Sequence, residues 1–222
     1  MEIKLALFDL DGTLVVYGHG HFQSSWDAVG KSALKNNPQE WKRWQDNVTH
    51  YYPKPELYED WLDENCESLE GISTDKVFST IFPPPYTTGV KDFFDYLKKQ
   101  DIITGIVSAG VGFVAEHVKR DLGLDFMIAN EVHISKGRFS GTGKTNVSLF
   151  GKGKIIQNLI YEHGLTKDEV MFVGDHSNDI PAWNEVGLPI GMNLKSTEFE
   201  QYVKESFTNF NQLSDYLENN FK

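Results

Sequence analysis

The chain has 222 residues, a formal net charge of −11 and a sequence pI near 5.0. This acidity argues against non-specific nucleic-acid binding, which needs a basic surface. Hydrophobic residues make up 40% of the chain, enough for the core of one α/β domain with a small insert. No stretch approaches the roughly 20 apolar residues of a membrane helix. No signal peptide is visible, and the single cysteine cannot form an intramolecular disulfide, so the sequence predicts a cytoplasmic protein.

Three short apolar runs predict strands of a parallel sheet. They are Ile3–Phe8, Ile102–Val107 and Val170–Val173. Continuous apolar runs of this kind are typical of strands that are covered on both faces. Helical patterns lie between the runs, and two of these helices are predicted to end at the C-terminal caps Gly123 and Gly187. The alternation of strands and helices predicts an α/β protein with a doubly wound parallel sheet.

Residues 16–83 differ in character from the rest of the chain. They are rich in Trp, Tyr, Asn, Glu and Lys, show helical spacing without a clean strand, and end at the stiff run of prolines at 83–85. This segment predicts a small helical cap inserted after the first strand, with residues 1–15 and 84–222 as the core. Further along the chain, Lys136–Gly137 lie at the turn of a predicted β-hairpin.

Asp9, Ser108 and Asp175 each follow one of the predicted strands. Ligands of doubly wound sheets bind at the carboxyl ends of the strands, so these side chains are expected to converge. An aspartate in the position of Asp9 can act as the nucleophile of a phosphoryl transfer. Asp11 can protonate the leaving alcohol and then deprotonate the attacking water. Two carboxylates this close repel each other, so a cation is expected beside them.

Other residues near these strand ends suit the binding of phosphate and metal. Thr13 offers a hydroxyl group, and Ser108 with the backbone N–H groups after it can bind a phosphate at a helix N-terminus. A lysine at the start of the next helix, either Lys152 or Lys154, can neutralise phosphate charge. The carboxylates of "GDHSND", at Gly174–Asp179, suit a hard ion with oxygen ligands such as Mg²⁺.

Four separated pieces of the sequence, in this order, resemble the motifs of the haloacid dehalogenase superfamily. They are "DLDGT" at Asp9–Thr13, Ser108, Lys152 and "GDHSND" at Gly174–Asp179. From Gly89 to Gly191 the chain is similar to phosphoserine phosphatases in particular, through "GVKDFF", "GIVSAG", "LGLDFMIANEV", "GRFSG" and "VGDHSND". The resemblance implies a Rossmann-like core with a helical cap inserted after the first motif.

The resemblance also implies a Mg²⁺-dependent phosphatase that hydrolyses a small phosphorylated metabolite through an aspartyl phosphate. It assigns catalysis to Asp9 and Asp11, and it favours Lys152 over Lys154 as the phosphate lysine. The implied phosphate-binding residues are Thr13, Ser108, Ala109 and Lys152. The implied metal site consists of the Asp9 carboxylate, the Asp11 backbone carbonyl and Asp175, with support from Asn178 and Asp179. A phosphotransferase or mutase with the same intermediate, and a non-catalytic protein of this fold, are the alternatives.

The substrate is not identified by any signature in the cap. Phosphoserine phosphatases usually place a glutamate a few residues after the first motif, where it meets the ammonium group of the substrate. That position falls on Gly18 here, and the next carboxylate, Asp27, is predicted to lie a helical turn or more inside the cap. The sequence therefore predicts a substrate other than phosphoserine, with a neutral, aromatic or anionic organic group. The residues predicted to contact this group are His19, His21, Trp26, Arg43 and His176.

Overall fold

The computed structural model of the protein describes residues 2–17, 24–51 and 54–220. The strands are β1 (Leu5–Phe8), β2 (Ile103–Val111), β3 (Phe126–Ser135), β4 (Arg138–Lys144), β5 (Val170–Gly174), β6 (Leu188–Met192) and β7 (Glu205–Phe207). The helices are α1 (Ser25–Leu34), α2 (Pro38–Tyr51), α3 (Tyr58–Ser68), α4 (Thr74–Ile81), α5 (Val90–Lys99), α6 (Gly112–Leu122), α7 (Lys152–Glu162), α8 (Ile180–Trp183) and α9 (Phe210–Asn220).

The strands form one sheet in the order β4-β3-β2-β1-β5-β6-β7. All neighbouring pairs are parallel except β3 and β4, which form the predicted antiparallel hairpin around Lys136–Gly137. Strand β1 lies at the centre, where Leu5 pairs with Ile103 on one side and Val170 on the other. The predicted α/β fold with a doubly wound sheet is confirmed, and its three predicted strands are neighbours whose carboxyl ends meet at one edge.

The central strand is buried on both faces, as its continuous apolar run predicts. Leu5 and Leu7 pack into the core on one face together with Phe172, whereas Phe8 packs into the core on the other face. There the ring centroid of Phe8 lies 4.9 Å from that of Phe94. Successive side chains of a strand point to opposite faces, so this pattern places both cores around β1 and fixes where the strand ends.

Some predicted boundaries are wrong. Strand β1 begins at Leu5 rather than Ile3, and β2 continues through Ser108 to Val111, although its pairing with β3 is irregular after Val107. The predicted cap at Gly123 is confirmed. The prediction for Gly187 is wrong because α8 already ends at Trp183 and the Gly187 N–H donates 2.7 Å to the carbonyl of Lys167 instead. Strands β6 and β7 were not predicted.

Helices α1 to α4 all lie between β1 and α5 in the chain and outside the sheet. Helix α3 packs against β4, and the start of α4 contacts the hairpin turn, where the Thr74 N–H and hydroxyl both donate 3.0 Å to the Gly137 carbonyl. We propose that these helices are the predicted cap, residues 16–83, because they pack together over the hairpin side of the sheet.

In the part of the chain that the structure describes, no helix has both the length and the apolar character needed to cross a membrane.

Candidate active site

Asp9 follows the last residue of the central strand and is buried, with 4% of its surface exposed. Its N–H donates 2.9 Å to the Val173 carbonyl of the neighbouring strand, which continues the sheet pairing up to this residue. One carboxylate oxygen accepts a 2.8 Å hydrogen bond from the Leu10 N–H, and the other lies 2.9 Å from Nζ of Lys152. These contacts hold the carboxylate in one orientation at the edge of the sheet.

Lys152 begins α7 and is completely buried. Its ammonium group lies between two carboxylates, 2.9 Å from Asp9 and 2.5 Å from Asp179. Burial lowers the pKa of this lysine, but the two carboxylates outweigh burial and raise the pKa above its usual value, so the group stays charged. Lys154, the alternative phosphate lysine, is exposed on the helix surface. The geometry therefore favours Lys152 as the cation of the site.

A cluster of acidic residues surrounds this lysine. Asp9, Asp175 and Asp179 are buried, and each offers a carboxylate oxygen within 4.8 Å of the others. Burial raises the pKa of Asp175 well above its usual range, and the charges of Asp179 and Asp9 raise it further. Lys195, following β6, lies 3.5 Å from Asp175. Two lysines thus face three carboxylates, and a divalent cation would offset the remaining repulsion.

Gly12 allows the first motif to approach the fourth. Its φ angle is 82°, in the left-handed region, and a Cβ atom at this position would overlap the Asp175 carboxylate. The turn between Asp9 and Thr13 is therefore packed directly against the end of β5. Asp179 holds that end of β5 in position, because its second oxygen accepts hydrogen bonds from the N–H groups of Asp175, at 2.8 Å, and His176, at 3.2 Å.

The Asp11 side chain turns toward the cap and not toward the acidic cluster. Its two oxygens accept hydrogen bonds from the N–H of Ser25, at 2.9 Å, and from the Ser25 hydroxyl, at 2.6 Å. The same hydroxyl accepts a 3.1 Å hydrogen bond from the N–H of Val111 at the end of β2. Burial raises the pKa of Asp11 to about 7, although the Ser25 hydrogen bonds oppose the increase. A carboxyl group with this pKa is partly protonated near neutral pH, as a general acid requires.

Ser108 and Ala109 lie side by side in the last part of β2. The Ser108 hydroxyl accepts a 3.1 Å hydrogen bond from the Gly110 N–H. The Ala109 carbonyl accepts hydrogen bonds from the Trp26 indole at 3.1 Å and the Tyr58 hydroxyl at 2.8 Å, so two cap residues are attached to this segment. Thr13 is different: its hydroxyl is buried, has no hydrogen-bond partner in the described residues, and is not part of the cavity wall.

A cavity of about 460 Å³ lies between the sheet edge and the cap. Its core side includes Asp9, Asp11, Ser108, Ala109, Gly110, Leu149, Asp175, His176, Asn178 and Lys195. Its cap side includes Ser24, Trp26, Asp27, Val48, Tyr51, Pro55, Tyr58 and Trp61. A cavity of this size accommodates a small organic phosphate.

The structure brings only part of the predicted specificity residues to this cavity. Trp26 and His176 line it, whereas Arg43 is exposed on α2 and does not. Burial and the charge of Lys195 lower the pKa of His176, which favours its neutral form. His19 and His21, like Gly18, lie outside the described residues.

Several residues that line the cavity or contact its walls carried no motif that could identify them. Ser25 contacts Asp11 across 14 positions of sequence, and Lys195 follows a strand that was not predicted. The sequence predicts that Asp27 lies a helical turn or more inside the cap. In the structure it lies in the first turn of α1 and lines the cavity. The "SSWD" sequence at the start of α1 has the pattern of a helix N-cap, and the Ser24 hydroxyl indeed accepts from the Asp27 N–H at 3.3 Å.

Comparison with known proteins identifies the family. Residues 6–183 match the family model for haloacid dehalogenase-like hydrolases. The relatives include phosphoserine phosphatases of Archaeoglobus fulgidus (27% identical, 87% of this chain and 54% of that protein) and Methanocaldococcus jannaschii (27% identical, 86% of each chain). A third comes from Campylobacter jejuni subsp. doylei (29% identical, 87% of this chain and 88% of that protein). The chain thus spans about half of the first protein and most of the other two.

Solved structures show the same fold. A phospho-aspartyl intermediate analogue of phosphoserine phosphatase superposes with a TM-score of 0.75, at 23% identity, over 97% of this chain and 99% of that one. A substrate-bound phosphoserine phosphatase superposes with a TM-score of 0.76 at 22% identity, with the same coverage. The family and subgroup that the motifs predict are therefore confirmed. The chain belongs to the haloacid dehalogenase-like hydrolase family, and the relatives it resembles are phosphoserine phosphatases.

Proposed function

We propose that this hydrolase cleaves phosphate monoesters of small metabolites, with Asp9 as the nucleophile and Mg²⁺ as the cofactor. The observation that carries the proposal is the Asp9 carboxylate, which is fixed by Lys152 and Leu10 at the floor of a cavity large enough for a small organic phosphate. The phosphatase names of the relatives support the same reaction.

In the first step, a carboxylate oxygen of Asp9 forms a bond to phosphorus while the bond between phosphorus and the alcohol oxygen breaks. Asp11 donates its proton to that oxygen, so the alcohol leaves uncharged. We assign the binding of the phosphate oxygens to the Ser108 hydroxyl, the Ala109 N–H group and Lys152. In the second step water attacks the phosphorus of the aspartyl phosphate, and Asp11 accepts a proton from this water. The bond between the Asp9 oxygen and phosphorus breaks, so inorganic phosphate is released and the Asp9 carboxylate is restored.

The acidic cluster suits the metal that the family implies. We propose that Asp9 and Asp175 supply carboxylate ligands together with the Asp11 backbone carbonyl, and that Asn178 and Asp179 support them. When bound, Mg²⁺ offsets the charge on the phosphate oxygens. Asp179 is already engaged by Lys152 and by two backbone N–H groups, so its role is to hold Lys152 and the end of β5 in position.

The proposed function is tested with p-nitrophenyl phosphate and a panel of small phosphate esters. The full-length protein, supplied with Mg²⁺, should release inorganic phosphate from at least one natural ester. Analysis of the products separates hydrolysis from phosphoryl transfer, because a transferase or mutase returns the phosphoryl group to an organic acceptor. Absence of turnover with every ester, despite a folded protein and added Mg²⁺, would contradict the proposal.

Removal of divalent cations is expected to abolish hydrolysis. Three buried carboxylates and an incoming phosphate repel one another, and two lysines do not balance them. After exhaustive treatment with EDTA, activity should disappear and should return on addition of excess Mg²⁺. Ca²⁺ should not restore it and should inhibit the Mg²⁺ enzyme, because Ca²⁺ takes more ligands in looser geometry. Full activity in the chelated protein would refute the metal requirement.

The Asp11→Asn variant is expected to distinguish substrates by their leaving group. An alkoxide needs a proton to leave, whereas p-nitrophenolate leaves readily without one, so the first step should slow much more for alkyl phosphates. We expect the loss for alkyl esters to exceed that for the aryl ester by roughly 10²-fold or more. The rate of phosphorylation is measured by rapid mixing, before the second step limits turnover. Equal losses for both esters would exclude the acid role of Asp11.

We also propose that phosphoserine is not the best substrate. Its carboxylate would need a cation, and among the described residues lining the cavity the only lysine or arginine is Lys195. That lysine lies 3.5 Å from Asp175, on the core side. Arg43, the cation expected from the cap, is exposed outside the cavity. A comparison of kcat/KM for L-phosphoserine and other phosphate esters tests the proposal, and a lead of tenfold or more for phosphoserine contradicts it.

A further inference from the structure

The first turn of α1 holds both oxygens of the Asp11 carboxylate. The N–H of Ser25 donates 2.9 Å to Oδ1, and the hydroxyl of the same residue donates 2.6 Å to Oδ2. One residue thus binds the carboxylate in two places, which restricts its rotation more than a single hydrogen bond does. Asp11 lines the cavity, so the direction of its side chain decides whether its carboxyl group can reach the oxygen of a leaving alcohol.

The hydroxyl group of Ser25 is itself held in one direction. Its oxygen accepts a 3.1 Å hydrogen bond from the N–H of Val111, the last residue of β2. A serine hydroxyl has one hydrogen to donate, and the contact with Val111 leaves that hydrogen for Asp11. Ser25 is completely buried, so bulk water does not compete for its hydroxyl group. The direction of the Asp11 carboxylate is therefore set by β2 as well as by α1.

Gly110 leaves the space that these two side chains occupy. It lies in β2, one position before Val111. A Cβ atom at Gly110 would lie 2.8 Å from Oδ2 of Asp11 and 3.0 Å from Oγ of Ser25. The first distance is shorter than van der Waals contact, so an alanine at this position would displace the carboxylate, the hydroxyl or both. Three segments, the turn after β1, the end of β2 and the start of α1, therefore meet at the Asp11 carboxylate.

We propose that Ser25 is a positioning residue that directs the Asp11 carboxyl group toward the leaving-group oxygen of the substrate. This inference rests on the proposed phosphatase function and adds to it a residue from the first helix after β1. Ser25 does not line the cavity, and its hydroxyl contacts Asp11 and Val111, so it acts through Asp11 and not on the phosphate ester. Because Asp11 follows β1 and Ser25 begins α1, the acid is correctly directed only while α1 lies against the end of β2.

A purely structural role for this contact is the alternative. The Asp11 carboxylate accepts a hydrogen bond from an N–H group in the first turn of α1, and such a contact also stabilises the start of a helix. If stabilisation were its only role, removal of the Ser25 hydroxyl would slow the hydrolysis of every ester alike. A positioning role predicts a loss that depends on the leaving group, because a leaving group that needs no proton does not need a correctly directed acid.

The test compares p-nitrophenyl phosphate with benzyl phosphate, whose alkoxide leaving group needs a proton. The protein is supplied with Mg²⁺, and kcat/KM is measured for each ester because it reports the steps up to formation of the aspartyl phosphate. Ser25→Ala should lower kcat/KM about tenfold more for benzyl phosphate than for p-nitrophenyl phosphate. Ser32→Ala is the matched control and should change neither value. Ser32 is a buried serine of α1 outside the cavity, and its hydroxyl has no hydrogen-bond partner among the described residues.

Two further variants test whether Ser25 acts through Asp11. In Asp11→Asn the acid is absent, so the addition of Ser25→Ala should cause no further selective loss with benzyl phosphate. Gly110→Ala keeps both side chains but places a Cβ atom against them, and it should cause the same selective loss as Ser25→Ala. Any effect of this alanine on phosphate binding lowers kcat/KM equally for both esters and leaves their ratio unchanged. Gly110→Ala thus tests the inference even if Ser25→Ala does not fold.

The outcomes separate this inference from the proposed function. If the wild type hydrolyses both esters and Ser25→Ala slows them equally, or slows neither, the positioning role is refuted and the phosphatase stands. A selective loss from Ser25→Ala that persists in full in the Asp11→Asn background also refutes it, because Ser25 would then act without Asp11. If benzyl phosphate is not a substrate, the alkyl ester that the wild type hydrolyses fastest takes its place. If the wild type hydrolyses no ester, the proposed function fails and this inference fails with it.

Discussion

The Asp9→Asn variant should lose nearly all turnover while keeping the native fold. The amide has the size of the carboxylate but lacks the charged oxygen that must attack phosphorus. Its carbonyl oxygen can still accept one of the two hydrogen bonds that Asp9 receives from Leu10 and Lys152. Loss of a covalent nucleophile in other enzymes costs several orders of magnitude, so we expect kcat to fall by roughly 10³-fold or more. The measurement is release of phosphate from p-nitrophenyl phosphate under saturating Mg²⁺.

A control variant shows that the loss is specific. Asp95→Asn changes an exposed aspartate of α5 that does not line the cavity, and it should retain wild-type turnover. Circular dichroism and thermal unfolding should show the same secondary structure in both variants and in the wild type. After an acid quench, mass spectrometry should find the phosphoryl group on the wild-type peptide that contains Asp9. Turnover close to wild type in Asp9→Asn would remove Asp9 from the role of nucleophile.

The core side of the site was predictable because each of its residues lies next to a strand or helix that the sequence pattern predicts. The apolar runs before Asp9 and Asp175 are strands of a parallel sheet, and such strands must lie with their carboxyl ends together. Neighbouring β2 brings Ser108 to the same edge. The position of Lys152 was likewise marked by the start of a helix. The apolar runs and the helix start thus predicted that these residues lie together at the carboxyl edge of the sheet.

The cap side was not predictable because helical spacing does not distinguish an aromatic residue of the core from one that lines a cavity. Trp44 and Trp26 are both buried and have ring centroids 6.3 Å apart, yet only Trp26 lines the cavity. The direction of the Asp11 side chain depends on Ser25, a contact between two segments that no motif connects. Arg43 precedes the buried Trp44 on α2, and this register leaves it facing solvent.

The Lys152→Met variant should be inactive and also much less stable than the wild type. Methionine has a similar length but no charge, so Asp9 and Asp179 would remain buried without the cation between them. Removal of one partner of a buried ion pair typically costs about 3–5 kcal/mol in the free energy of unfolding. The phosphate would also lose a positive charge that the site places beside the nucleophile. Equilibrium unfolding in urea measures the first effect, and phosphate release measures the second.

Two further variants separate charge from packing. Lys154→Met, two positions along α7 and exposed, should change neither stability nor turnover by much. In the double variant Lys152→Met with Asp179→Asn, one of the two stranded carboxylates is neutralised, so part of the lost stability should return while activity stays absent. Such a result would mean that Lys152 stabilises the fold by balancing Asp179 and serves the reaction through its charge beside Asp9. If Lys152→Met instead unfolds at the same urea concentration as the wild type, the charge of Lys152 does not stabilise the buried carboxylates. Its assignment as the cation of the site is then wrong.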